Sequence, residues 1–134
     1  MFSLALDSLV DTSQVDCVQE AVFFEARGEP FLGQLMVANV IQNRVSHKRF
    51  PRDACSVVHQ PHQFTYHFDK KVYESDQKSK MRARIVAYIS EISPRLLPEN
   101  VVYYTANKVK YFEGKKKVLR YKTVANHTFY QELV

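Results

Sequence analysis

The most constraining feature of the sequence is a segment from Pro30 to about Val45 that is apolar over a wide arc when it is read as a helix. Its apolar positions recur at helical spacing: Phe31, Leu35, Ala38, Ile41 and Val45. A helix with so broad an apolar face has to be covered on several sides. We therefore predict that it is the central buried helix of one compact domain over residues 1–134, with residues 1–14 as an N-terminal extension.

A second helix, predicted over Val15–Ala26, places a carboxyl group among apolar side chains. Glu25 follows three apolar residues at helical spacing: Val18, Ala21 and Val22. A carboxyl group in such surroundings resists ionisation and can hold a proton for donation at neutral pH. Glu25 is therefore a candidate general acid, and the alternative is a structural acid paired with Arg27 or Asn43.

The remaining chain predicts helices first and strands last. Asp53 can cap a short helix through His59, an irregular stretch covers Pro61–Tyr73, and a longer helix covers Ser75–Ile92. The period then changes to that of strands, which are predicted at Val101–Thr105, Val109–Phe112 and Lys117–Val124 with a turn at Glu113-Gly114. This order predicts an α+β fold, a helical body followed by a small C-terminal antiparallel sheet.

The net charge of +5 is concentrated near the C-terminus. The clustered cations are Lys108, Lys110, Lys115, Lys116, Lys117, Arg120 and Lys122. Such a surface attracts polyanions such as nucleic acid, an anionic membrane or an acidic bacterial envelope, and the alternative is a solvated hairpin that maintains solubility. Charge alone does not choose among them.

The hydrophobic segments and the N-terminus indicate the compartment of the protein, and the compartment predicts the state of its cysteines. No run of 18 apolar residues occurs, so we expect no membrane insertion. The N-terminus lacks the basic start and apolar stretch of a secretory signal, which predicts synthesis in the cytoplasm without a signal peptide. In that compartment Cys17 and Cys55 are expected to be free thiols.

Metal and cofactor chemistry finds little support in the motifs. His59, His62 and His67 lie close together, but no His-Glu-x-x-His pattern occurs and Pro61 interrupts a helical pair. Three scattered glycines cannot form a phosphate-binding loop. We therefore expect neither a metal nor a cofactor.

Two polar and aromatic clusters could bind a sugar, which is recognised by amides, hydroxyls and flat ring faces. The first is Gln63-Phe64-Thr65-Tyr66 in the irregular stretch, and the second is Asn126-His127-Thr128-Phe129-Tyr130 at the end of the sheet. The alternative is that Phe64 and Phe129 are core residues and that His127 bonds a backbone carbonyl.

The block from Glu25 to Arg44 resembles the signature of the cell-wall hydrolase family typified by the spore-cortex-lytic enzymes. The similarity continues in register through Arg49-Phe50-Pro51, Cys55-Ser56-Val57-Val58, Gln60-Pro61, Gln63-Phe64-Thr65, Val102-Tyr103-Tyr104 and Asn126-His127-Thr128-Phe129-Tyr130. The resemblance implies a lysozyme-like domain that cleaves peptidoglycan glycan strands between N-acetylmuramic acid and N-acetylglucosamine. It implies a lytic transglycosylase in which Glu25 is the general acid and base.

The resemblance also suggests how the substrate is bound and where the protein acts. The candidate substrate-binding residues are Glu29, Gln63, Phe64, Thr65, Tyr104, Asn126, His127 and Tyr130. A start without a leader fits a phage lysis enzyme that acts on the wall of the infected host. We expect a monomer that binds glycan strands and no specific nucleic acid.

A transglycosylase needs only one acid, and no second carboxylate is convincingly placed by the sequence. Glu29 lies across the break at Gly28, and Asp53 is predicted to cap a helix. Two other functions remain open. One is an N-acetylmuramoyl-L-alanine amidase, an activity that commonly needs zinc, and the other is a nucleic-acid-binding module in which tyrosines alternate with lysines on the sheet.

Overall fold

The structure, a computed structural model, describes residues 10–60, 64, 66–106 and 117–133. Over these ranges the chain forms five helices and then three strands. The helices are α1 (Thr12–Ala26), α2 (Phe31–Ser46), α3 (Ala54–Val58), α4 (Lys70–Ser75) and α5 (Gln77–Ile92), and the strands are β1 (Val101–Ala106), β2 (Val118–Val124) and β3 (His127–Glu132). The predicted α+β order is confirmed.

Aspartate side chains fix where four of the helices begin. The capping carboxylates of Asp11, Asp53, Asp69 and Asp76 each accept a hydrogen bond from a backbone N–H in the first turn of α1, α3, α4 and α5. Because Asp11 is the cap, α1 begins three residues before the predicted Val15 and overlaps the predicted extension. Residues 1–9 of that extension lie outside the described residues.

The prediction that α2 is the central buried helix is confirmed. It packs against α1, α3, α5 and β1, and its buried amides join it to the segment that leads into the sheet. Asn39 Oδ1 accepts from the backbone N–H of Leu96 at 2.7 Å, and Asn43 Nδ2 donates to the carbonyl of Val101 at 3.0 Å. Since buried amides need partners, these bonds set the position of β1 relative to α2.

The antiparallel sheet has the strand order β1-β3-β2, so β3 is the central strand. It was not predicted as a strand, because its residues were interpreted only as a polar and aromatic cluster. Tyr104 of β1 pairs with Phe129, and Ala106 pairs with His127. Since side chains alternate across a strand, Tyr104, His127 and Phe129 share one face. The predicted strand Val109–Phe112 and the turn at Glu113-Gly114 lie outside the described residues.

The expectation of two free thiols is wrong. Cys17 of α1 and Cys55 of α3 form a disulfide, with their Cα atoms 5.1 Å apart. The expectation rested on the compartment and on the apolar residues around each cysteine, whereas α1 and α3 pack against each other and bring the two sulfurs together. Among the described residues, no helix combines the length and hydrophobicity needed to cross a membrane.

Candidate active site

Glu25 lies in the last turn of α1 and is half-buried. Its Oε1 accepts a hydrogen bond of 2.9 Å from the hydroxyl of Tyr104 on β1. Neither structural partner considered from the sequence contacts it in this way, because Arg27 pairs with Asp76 at 3.6 Å and Asn43 bonds the backbone near β1. The fold therefore gives Glu25 a phenol as its partner rather than a cation or an amide.

The surroundings of Glu25 favour its protonated form. Burial raises the pKa of the Glu25 carboxyl, and this effect exceeds the opposing influences. The hydrogen bond from Tyr104 and the positive charges of His127 and Arg44 lower the pKa of Glu25 without reversing the shift. A carboxyl group whose pKa is raised keeps its proton to a higher pH than an exposed one, as a general acid requires.

Tyr104 connects Glu25 to the two other aromatic groups of the site. Burial and the nearby Glu25 carboxylate raise the pKa of the Tyr104 phenol well above its usual value, so the hydroxyl stays protonated as a donor. The Tyr104 ring stacks on His127 with centroids 5.3 Å apart, and its centroid lies 6.2 Å from that of Phe64. These contacts fix the ring from two sides.

Glu29, two residues before the start of α2, is buried and holds the turn between β2 and β3. Oε1 accepts from the backbone N–H of Asn126 at 3.0 Å and from His127 Nδ1 at 2.8 Å, and Oε2 accepts from Asn126 Nδ2 at 3.0 Å. These hydrogen bonds lower the pKa of Glu29 despite its burial. Ala125, in the same turn, has φ of 49°, a left-handed conformation that favours glycine. Glu29 therefore positions His127 by way of its carboxylate.

Arg44 of α2 supplies a buried positive charge that the sequence analysis did not assign to the site. Its Nε donates to the carbonyl of Val102 at 2.8 Å, and the guanidinium lies 5.2 Å from the centre of the Phe64 ring. Burial lowers the pKa of Arg44 to about 10, which leaves it charged at neutral pH. An arginine inside the most apolar helix was the signal in the sequence, because a buried charge needs compensating partners.

The other predicted binding residues have different outcomes. Phe64 is half-buried beside Tyr104 and Arg44. Tyr130 has only 2% of its surface exposed, and it packs with Phe50 and Val102 in a separate cluster, on the opposite face of the sheet from Tyr104. Gln63 and Thr65 lie outside the described residues. Within the described ranges, no group of three or more His, Cys, Asp or Glu side chains is arranged to hold a metal ion.

A third carboxylate, Glu20, lies on α1 outside the predicted site. Its Oε2 accepts a hydrogen bond of 2.6 Å from the Tyr66 hydroxyl, and the Tyr66 ring stacks on Phe24 with centroids 5.2 Å apart. No local sequence pattern indicates this contact, because Tyr66 lies 46 positions further along the chain.

The chain thus forms a helical body around a buried helix, with a sheet that brings a phenol to a half-buried glutamate. The profile of the family described as Cell Wall Hydrolase matches residues 28–130, and the chain belongs to that family. The matched region begins three residues after Glu25.

The curated relatives are spore cortex-lytic enzymes. Those of Bacillus cereus and Bacillus subtilis are 37% and 34% identical to the chain over 71 residues, which is 53% of this chain and 27% and 23% of theirs. That of Oceanobacillus iheyensis is 33% identical over 92 residues, which is 69% of this chain and 32% of its own length. The chain thus spans at most about a third of these relatives.

Two solved structures share the fold. The catalytic domain of the Bacillus cereus SleB protein has a TM-score of 0.69 at 24% identity, with 89% of this chain and 90% of that chain covered. The catalytic domain of the germination-specific lytic transglycosylase SleB from Bacillus anthracis has a TM-score of 0.67 at 23% identity, with 90% and 95% covered. These similarities establish the lysozyme-like architecture.

Proposed function

We propose that this chain cleaves the glycan strands of bacterial peptidoglycan between N-acetylmuramic acid and N-acetylglucosamine as a lytic transglycosylase. The observation that carries the proposal is the half-buried Glu25, whose raised pKa and hydrogen bond from Tyr104 suit a general acid. Membership of the cell-wall hydrolase family supports the substrate class, and a neighbour in fold is described as a lytic transglycosylase. The chain acts as a monomer on the cell wall.

The reaction uses one carboxyl group twice. Protonated Glu25 donates its proton to the glycosidic oxygen, which leaves with the bond electrons as the hydroxyl of the departing sugar. The Glu25 carboxylate then takes the proton from the C6 hydroxyl of the muramic sugar, and this oxygen attacks C1 to close a 1,6-anhydro ring. Glu25 is thereby reprotonated, and no water is consumed. The hydrogen bond from Tyr104 stabilises the carboxylate between the two steps.

The hydrogen bonds that Glu29 already makes favour this route over hydrolysis. Hydrolysing glycosidases use a second carboxylate as nucleophile or base. Both oxygens of Glu29, which follows Glu25 by four residues, already accept hydrogen bonds from Asn126 and His127. A carboxylate held in this way is poorly suited to attack a sugar or to activate water.

The test is digestion of purified peptidoglycan by the wild type and by Glu25→Gln, with the products identified by mass spectrometry. We expect anhydromuramic ends from the wild type and their loss in Glu25→Gln. Glu74→Gln on the exposed side of α4 is the matched control, and it should keep wild-type activity.

Other products would overturn parts of the proposal. Reducing ends that have gained water would mean hydrolysis, and full activity in Glu25→Gln would remove Glu25 from the mechanism. Free stem peptides would identify an amidase. Absence of any product, together with salt-sensitive binding of single-stranded nucleic acid, would favour the binding-module alternative.

A further inference from the structure

The outer face of α5 is apolar, although the solvent side of a surface helix is usually polar. Met81, Ile85 and Ile92 follow one another at intervals of four and seven residues, so they form one row along the helix. Their exposed fractions are 58%, 39% and 48%. The side of α5 that packs into the domain carries a different set, the buried residues Ala83, Val86, Ala87, Tyr88 and Ser90. The row of Met81, Ile85 and Ile92, called here the outer row, therefore makes α5 apolar on two sides.

The apolar surface continues from the outer row onto α2. Arg82 follows Met81 in the chain, and its guanidinium lies 5.9 Å from the centre of the Phe31 ring. Phe31 and Leu32, the first two residues of α2, are also exposed. Since the stem of Arg82 is apolar, it connects the two groups of side chains. A patch that combines apolar side chains from two helices is typical of an interaction surface.

The charges beside the outer row are positive. Lys78 and Arg82 are exposed and lie one turn apart on α5. Glu91, the acidic residue of α5, accepts a hydrogen bond of 2.9 Å from α2 instead. Asp76, which caps the helix, pairs with Arg27 at 3.6 Å. The face therefore presents apolar side chains and cations together, which is complementary to an apolar surface that carries negative charge.

We propose that the outer face of α5 docks the domain on an anionic membrane surface. The outer row enters the boundary between the headgroups and the acyl chains, and the cations of Lys78 and Arg82 stay at the level of the lipid phosphates. Docking of this kind requires no helix that crosses the membrane. A second copy of the chain fits the face less well, because it would present the same face and offer no carboxylate to these cations.

The inference goes beyond the proposed function, since it uses no residue of the Glu25 site. Docking would hold the domain where the membrane adjoins the cell wall, while the cleavage of glycan strands would depend on Glu25 as before.

The test measures binding of the chain to lipid vesicles by co-sedimentation. Vesicles that mix phosphatidylglycerol with phosphatidylcholine should bind the wild type, and vesicles of phosphatidylcholine alone should bind it more weakly. Ile85→Asp and, separately, Ile92→Asp should weaken binding to the anionic vesicles about tenfold or more. Leu119→Asp is the matched control, because it introduces the same charge at a side chain of β2 that is 54% exposed. This control should bind nearly as tightly as the wild type.

A second variant separates the role of the cations from that of the outer row. Lys78→Gln/Arg82→Gln should weaken binding to the anionic vesicles, reduce its sensitivity to salt and leave the weak binding to neutral vesicles unchanged. Both substitutions lie at exposed side chains, so this variant tests the proposal even if an aspartate variant unfolds. Thermal unfolding checks the fold of each variant, and digestion of purified peptidoglycan should be unchanged in all of them.

Four results would overturn the proposal. The first is a wild type that binds no anionic vesicles, or aspartate variants of α5 that bind them as the wild type does. The second is a loss of binding in Leu119→Asp alone, which would assign the membrane contact to the basic strand β2. The third is self-association that Ile85→Asp abolishes, without vesicle binding, which would make a second copy the occupant. The fourth is vesicle binding only after removal of residues 1–9, which would make that segment the occupant. Failure of the proposed function would be recognised separately, because a chain that digests no peptidoglycan could still bind vesicles.

Discussion

Reduction of the disulfide between Cys17 and Cys55 should remove a large part of the stability of the domain. The bond closes a loop with a sequence separation of 38 residues and joins α1, which carries Glu25, to α3. The chain-entropy relation, 2.1 + 1.5R ln n, gives about 13 cal/mol/K for this loop, or about 4 kcal/mol at 25 °C. Single domains typically have a free energy of unfolding of about 5–15 kcal/mol. We therefore expect the reduced chain to lose at least a quarter of its free energy of unfolding.

The assay is urea unfolding of the oxidised and the reduced chain, followed by far-ultraviolet circular dichroism because the sequence contains no tryptophan. The midpoint should fall on reduction. The slope m should rise, because an unfolded chain without the cross-link exposes more surface. The variant Cys17→Ala/Cys55→Ala is the control, and its midpoint should not respond to the reductant.

The reasoning would be refuted by a loss below about 1 kcal/mol with an unchanged m. That result would mean either that the bond does not form in solution or that the unfolded chain already keeps α1 and α3 close together.

Three further predictions concern single side chains. Tyr104→Phe removes a hydrogen bond that lowers the pKa of Glu25, so the alkaline limb of the pH profile of activity should move to higher pH. The control Tyr103→Phe, on the other face of β1, should leave the alkaline limb in place. Glu29→Gln should lower the free energy of unfolding by about 1.5–3 kcal/mol at neutral pH. Because the pKa of Glu29 is lowered on folding, the stabilisation by its carboxylate disappears as the pH falls through the pKa of Glu29 in the folded chain. If Glu29→Gln cost as much stability in acid as at neutral pH, the hydrogen-bonded carboxylate would not be the cause. Ala125→Gly should raise the free energy of unfolding by about 1 kcal/mol in urea, since it relieves a left-handed alanine; no gain would show that the turn is unstrained.

The helices could be predicted from the sequence because local patterns determine them. The wide apolar arc of α2 and the spacing of Val18, Ala21 and Val22 before Glu25 follow from one turn of helix. These patterns predicted both the central helix and the half-buried carboxyl group. The beginning of α1 differed by three residues, because the choice among neighbouring capping residues depends on contacts that the pattern does not contain.

The partners of the carboxylates could not be predicted in the same way. Tyr104 lies 79 positions from Glu25, and His127 lies 98 positions from Glu29. Their contacts depend on the register of β1 against β3, and β3 was not recognised as a strand. The placement of Tyr130 depends on the same register, since a change of one residue moves a side chain to the other face of the sheet.

The spacing between Glu25 and Glu29 has a consequence for how the sheet assembles. These carboxylates, four residues apart along the chain, contact Tyr104 on β1 and His127 on β3. A slip of β3 by two residues would keep the same side chains facing the helices, so burial alone would tolerate it. It would nevertheless separate His127 from Glu29 while Tyr104 stayed on Glu25. Glu25 and Glu29 together therefore favour one alignment of the strands. A misaligned sheet that hydrophobic packing alone would tolerate leaves the buried carboxylate of Glu29 without its partner.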